Sequence, residues 1–169
     1  ITLDILQLDK VKYFFDNNEI EVVIHTAING GRRVKKDNIV AFYENLLMFE
    51  NLQHVIGDRL FINLGSGAEF DISLPIDCML EVDIFSRVPK DFYGLSKNII
   101  AKRLDGMSNA INLRIFGCFG AAEDGRMVKT ALVNSFFNKP IFVLDKWMDF
   151  IYVEDFCTII EWCINNLKY

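Results

Sequence analysis

The chain has 169 residues, half of them hydrophobic (51%) and fifteen of them phenylalanine, which is ample material for a buried core and excludes a disordered chain. Its net charge of -5 comes from Asp and Glu scattered along the sequence, with one short basic cluster at Arg32, Arg33, Lys35 and Lys36, so nucleic acid is not the expected partner. No apolar run approaches the ~20 residues that span a bilayer, so no membrane partner is expected either.

The first candidate element is a helix over Leu8 to Asn17, which places Val11, Phe14 and Phe15 on one side. EVVIHTA (Glu21 to Ala27) is a β-branched run without polar alternation, as expected of a strand buried on both faces of a parallel sheet. A helix from Asp37 to Leu52 follows, with Val40, Tyr43, Leu47 and Leu52 at helical spacing. RLFINLGS (Arg59 to Ser66) reads as a second strand, and Leu74 to Pro89, bounded by two prolines and without clear period, as a long loop.

From Tyr93 to Leu104, Leu95, Ile99, Ile100 and Leu104 form an apolar stripe that leaves Tyr93 and Lys97 together on another face. INLRIFG (Ile111 to Gly117) is the third strand. Beyond Gly120 the pattern changes to a helix (Met127 to Asn138), a strand PIFVL (Pro140 to Leu144), a short strand FIYV (Phe150 to Val153) and a last helix from Phe156 to Leu167 that Asp155 would cap. The four cysteines, Cys78, Cys118, Cys157 and Cys163, have no metal-ligand spacing and read as buried free thiols; no metal site is expected. The alternation implies an α/β fold with a parallel sheet and helical crossovers.

In such a sheet ligands meet the carboxyl ends of the strands. There the sequence offers His25 to Gly31, small and glycine-rich; Gly65-Ser66-Gly67; and Tyr93 with Lys97 one helical turn on. Tyr93 and Lys97 alone read by default as an amphipathic surface pair, and Ser66 alone could be a simple turn residue. His25 reads as a strand-end residue and the basic cluster as solvated surface.

Ser66, Tyr93 and Lys97 resemble the Ser/Tyr-x-x-x-Lys triad of the extended short-chain dehydrogenase/reductase family, the NAD-dependent epimerases, dehydratases and reductases of nucleotide sugars. Five further segments resemble the family in the same order: VVIHTA, its strand ending near the cofactor; YENLLMFENL, its Asn-bearing helix; FINLGSGAEF, its serine strand; LRIFGCFG; and DFIYVEDF. The resemblance implies a Rossmann-like parallel sheet with flanking helices over residues 1–120, incomplete at the N-terminus, and part of a small C-terminal substrate-binding region over 121–169. It implies NAD or NADP as cofactor and a nucleotide-sugar substrate, in a cytoplasmic protein that forms a homo-oligomer or depends on an N-terminal segment.

By the same resemblance Tyr93 is the acid/base, Lys97 tunes it and holds the nicotinamide ribose, and Ser66 orients the reacting oxygen. Asp4, Ile5, Thr26, Ala27, Asn45 and Phe116 join Tyr93 and Lys97 at the cofactor, and Arg126 joins Ser66 at the substrate. Ile1 to Leu6 resembles the family's third strand, so its glycine-rich phosphate loop is expected to precede Ile1.

Departures narrow the reaction. The family's 4,6-dehydratases carry Asp-Glu after the hydroxyl residue, where Gly67 and Ala68 stand here; GDP-fucose synthases place a cysteine where Ala68 stands and use a distant histidine, and no histidine follows His54. Met148 stands where many relatives have an arginine for the substrate diphosphate. A 4-epimerase or 4-ketoreductase is the expected activity, with a non-catalytic binding module or an inactive truncated fragment as the alternative.

Overall fold

The structure is a computed structural model that describes residues 2–31, 37–76, 78–123, 125–143, 145 and 148–167. The chain divides into two compact units, Ile1–Arg114 and Ile115–Lys168.

The first unit contains α1 (Leu8–Asp16), β1 (Val22–His25), α2 (Ile39–Ile56), β2 (Leu60–Ser66), 3-10 turns at Gly67–Glu69 and Glu81–Phe85, α3 (Phe92–Leu104) and β3, which runs Ala110–Ile115 and so ends at the division. The sheet order is β1-β2-β3. β1 and β2 pair in parallel, from Val22 opposite Leu60 to His25 opposite Asn63. That register brings the residues after β1 to the same end of the sheet as Leu64 to Ser66, so the expected α/β parallel architecture is present.

Val11 and Phe15 of α1, Phe49, Leu52 and Ile56 of α2, Phe61 of β2, and Ile100 and Leu104 of α3 form one buried cluster. Each such side chain contributes about 2 kcal/mol or more by leaving water, and together they hold α2 and α3 beside the central strand. Side-chain caps fix where both helices start. Asn38 accepts the Ala41 N–H at 3.0 Å before α2, and Asp91 accepts the Gly94 N–H at 2.7 Å before α3. In the second unit, β4 (Cys118–Phe119) and β5 (Ile151–Tyr152) pair in parallel as a separate sheet, with α4 (Met127–Phe136) and α5 (Val153–Asn166).

Several expectations are corrected. Val40, Tyr43 and Leu47 are exposed, whereas Ala41, Asn45, Met48, Phe49 and Leu52 are buried. α2 is apolar on most sides, so spacing alone selected the wrong stripe. Residues 140–143 form no strand: Phe142 and Val143 are more than four-fifths exposed, and among the described residues no strand pairs with them, while Leu144 lies outside the described residues. Residues 2–6 are not a strand either, because Asp4 folds the chain into α1 by accepting the Leu6 N–H at 3.1 Å and the Gln7 amide at 2.7 Å.

α5 begins at Val153, which puts Asp155 inside the first turn and makes Tyr152 the cap residue. The 74–89 segment carries a 3-10 turn anchored by buried Ile84. Of the cysteines, Cys163 is buried, Cys118 half-buried, and Cys78 and Cys157 exposed. Among the described residues no helix is long and apolar enough to cross a membrane, and no group of three His, Cys, Asp or Glu side chains is placed to hold a metal ion.

Candidate active site

Tyr93 and Lys97 stand one turn apart at the start of α3, over the carboxyl end of β2. Glycine at position 94 lets this turn sit there: a Cβ would come within 2.7 Å of the Ala68 carbonyl oxygen and 2.8 Å of the Asp91 carboxylate. Lys97 is only 5% exposed, and its Nζ donates to the Leu64 carbonyl at 2.7 Å. Burial lowers its pKa to about 8, against an opposing pull from the Glu69 carboxylate. His25 is buried at the end of β1, stacked on Phe61. Its pKa falls to about 4, chiefly by burial and secondly through the Lys97 charge, so it is neutral at pH 7.

Ser66 ends β2 and accepts the Ala68 N–H on Oγ at 3.2 Å, which leaves its O–H free to donate. The Ser66 hydroxyl lies close enough to the Tyr93 phenol to draw its pKa down. Burial outweighs it, and Glu69, Asp37 and Asp91 add to the upward shift, so the phenol sits above its ordinary value and is protonated at neutral pH. The expected lowering of Tyr93 by Lys97 is not found: desolvation is the largest influence on the phenol and raises its pKa.

The loop after β1 is held against this pair by Asn45. Its fully buried amide accepts the Asn29 N–H at 2.8 Å, donates to the Asn29 carbonyl at 2.9 Å and reaches Ser96 Oγ at 3.2 Å. Ser96 in turn donates to the Tyr93 carbonyl at 2.7 Å. Gly31, at φ +73°, lies so close to Tyr93 that a Cβ would meet the ring at 2.9 Å. Thr26 and Ala27 are exposed on the same loop. The structure thereby brings Ser66, Tyr93, Lys97 and Asn45 together at the strand ends, with the 26–31 loop beside them.

Other expected site residues are placed differently. Asp4 is exposed and spends its carboxylate on the turn before α1; Ile5 is half-buried, with its carbonyl accepting the Asn51 amide at 2.8 Å. Phe116 and Arg126 belong to the second unit, where Arg126 precedes α4 with Nε 3.9 Å from a Glu123 carboxylate oxygen. The Arg32–Lys36 cluster lies outside the described residues.

Sequence reasoning missed the polar cluster beneath Ser66. Glu69 is completely buried, accepts the Ser66 N–H at 2.9 Å and the Asn112 amide at 3.0 and 3.1 Å, and is ion-paired to Arg114, which also pairs with Glu81. Asn63 donates to Asn112 at 2.7 Å, and Asn98 donates to the Glu69 and Ile84 carbonyls at 2.7 and 2.9 Å. The signal was present: Ser66-x-x-Glu69 has capping-box spacing.

Comparison with known proteins shows the family and the fold. The sequence matches the model of the NAD dependent epimerase/dehydratase family over residues 1–168, while none of the curated proteins matches it. The fold is similar to MlghC, the GDP-mannoheptose C4 reductase of Campylobacter jejuni solved with NADP bound, at TM-score 0.77 and 17% identity over 99% of this chain and 63% of that one. It is similar to Bordetella bronchiseptica WbmG in complex with NAD and UDP (TM-score 0.73, 18% identity, 95% of this chain, 52% of that one). A third likeness is to the Bacillus cereus UDP-N-acetylglucosamine 4-epimerase (TM-score 0.68, 18% identity, 98% of this chain, 58% of that one). The chain thus spans less than two thirds of each of these structures. A family match over nearly its whole length shows that the chain belongs to the NAD dependent epimerase/dehydratase family.

Proposed function

We propose that the chain carries the catalytic constellation of an NAD- or NADP-dependent nucleotide-sugar 4-epimerase or 4-ketoreductase. The observation that carries this reading is Tyr93 one helical turn from the buried Lys97 ammonium, with Lys97 bonded to the end of the same strand that Ser66 closes, at the carboxyl ends of parallel strands. The residues fit a nicotinamide ribose, because Lys97 has three N–H donors, of which the Leu64 carbonyl takes one. A bound nicotinamide dinucleotide supplies the hydride when a ketone is reduced, or takes it when an alcohol is oxidised.

Tyr93 holds the proton that must move with that hydride. Its raised pKa keeps the phenol neutral, so in the reducing direction it gives its proton to the sugar carbonyl oxygen, and in the oxidising direction it takes the hydroxyl proton back. The Ser66 O–H fixes the position of that oxygen and stabilises the phenolate left behind. Lys97 adds a positive charge that is largely present at neutral pH and lost as pH rises through about 8. Asn45 holds the 26–31 loop, and so Thr26 and Ala27, in place for the nicotinamide half of the cofactor. Gly67 and Ala68 in place of an acidic pair favour simple hydride transfer over dehydration.

The test is nicotinamide absorbance in the protein mixed with NAD, NADH, NADP or NADPH and a panel of GDP-, UDP- and dTDP-sugars or their 4-keto forms. A reduced or epimerised sugar, formed at a rate that Tyr93→Phe lowers by ~100-fold or more, is expected. No turnover with any member of the panel would remove the proposal.

A further inference from the structure

We propose, resting on the reading just given, that Glu69 is a positioning residue for the reaction: its buried carboxylate fixes the Ser66 main chain, and through it the hydroxyl that meets Tyr93. One Glu69 oxygen accepts the Ser66 N–H at 2.9 Å, and the side chain is 0% exposed. Three other elements hold it. Asn112 and Arg114 of β3 bind the carboxylate, Glu81 of the second 3-10 turn takes the far side of Arg114, and Asn98 of α3 donates to the Glu69 carbonyl. Gly65 leaves the space, since a Cβ there would lie 2.4 Å from the Glu69 carboxylate.

A charge sunk this deep is costly unless fully paired, and a turn alone would need no such cluster. The arrangement gives Ser66 a backbone that does not yield when substrate oxygen presses on its hydroxyl. The carboxylate also reaches the rest of the site. It stabilises the Lys97 ammonium from below and disfavours the Tyr93 phenolate. The other charged or titratable groups facing these two are His25 at the end of β1, and Asp37 and Asp91 ahead of α2 and α3; Arg114 faces Glu69 itself.

The test combines Glu69→Ala and Glu69→Gln, each also made with Arg114→Met so that no unpaired guanidinium remains buried, with Ser66→Ala and Tyr93→Phe. Folding is checked by thermal melting. Glu69→Ala is expected to lower kcat by about 10- to 100-fold with KM little changed, and to add nothing to the loss caused by Ser66→Ala. Glu69→Gln keeps the acceptor for the Ser66 N–H and should recover much of that loss. In an NMR titration of isotope-labelled lysine, which does not depend on turnover, both Glu69 variants should move the Lys97 midpoint below about 8. Losses that multiply with Ser66→Ala, or an unmoved Lys97 midpoint in folded variants, would overturn the assignment while an inactive Tyr93→Phe left the proposed function standing. An active Tyr93→Phe would overturn both.

Discussion

Replacing Lys97 by methionine keeps a long flexible chain in the site and removes a charge that the fold holds 95% out of water, since Lys97 is 5% exposed. A folded-state pKa of about 8 against an ordinary 10.5 means that the folded protein loses this proton first. Between those values the unfolded chain binds more protons than the native one, so stability rises with pH. Working the two titrations through from about pH 7 to about pH 9.5 gives a gain of about 2 kcal/mol for wild type that Lys97→Met lacks. His25 stays neutral throughout this window, because its pKa is about 4. Urea denaturation of both proteins across the window reads the difference directly, with other groups cancelling between them. Parallel stability curves would refute the reasoning, because they would mean that the Lys97 ammonium is solvated and not buried against Leu64.

Asn45→Ala should cost about 1–3 kcal/mol, because it removes the two hydrogen bonds by which the buried Asn45 amide holds the Asn29 main chain; hydrogen exchange of residues 26–31 should speed up and cofactor affinity should weaken, and unchanged exchange would count against the loop-holding role. Gly31→Ala places a methyl 2.9 Å from the Tyr93 ring at a φ of +73°, so turnover should fall while the melting temperature drops only modestly; a variant with wild-type kcat would show that the loop does not press on Tyr93.

Much of the first unit was legible because its strands and the start of α3 carry local signals. The β-branched run at Val22–Ile24 and the apolar run at Leu60–Leu64 could serve little else, and Tyr93 with Lys97 at helical spacing after Asp91 marked both a helix start and a shared face. Where pattern failed, tertiary packing had decided. α2 carries apolar residues around most of its circumference, so burial of Phe49 and Leu52 over Val40 and Tyr43 depends on what α1 and β2 present to it. Pro140 to Val143 has strand composition but no partner strand among the described residues. Glu69 shows in the sequence only as the capping-box partner of Ser66, and its pairing with Asn112 and Arg114, more than forty positions away, was illegible.

The central claim is that the Tyr93 phenol carries the proton of hydride transfer. Single-turnover kinetics of nicotinamide oxidation or reduction in wild type and Tyr93→Phe, on whichever nucleotide sugar turns over, tests it most directly. The account predicts a rate lower by ~100-fold or more in Tyr93→Phe, with cofactor affinity little changed. A single-turnover rate equal to that of wild type would contradict it.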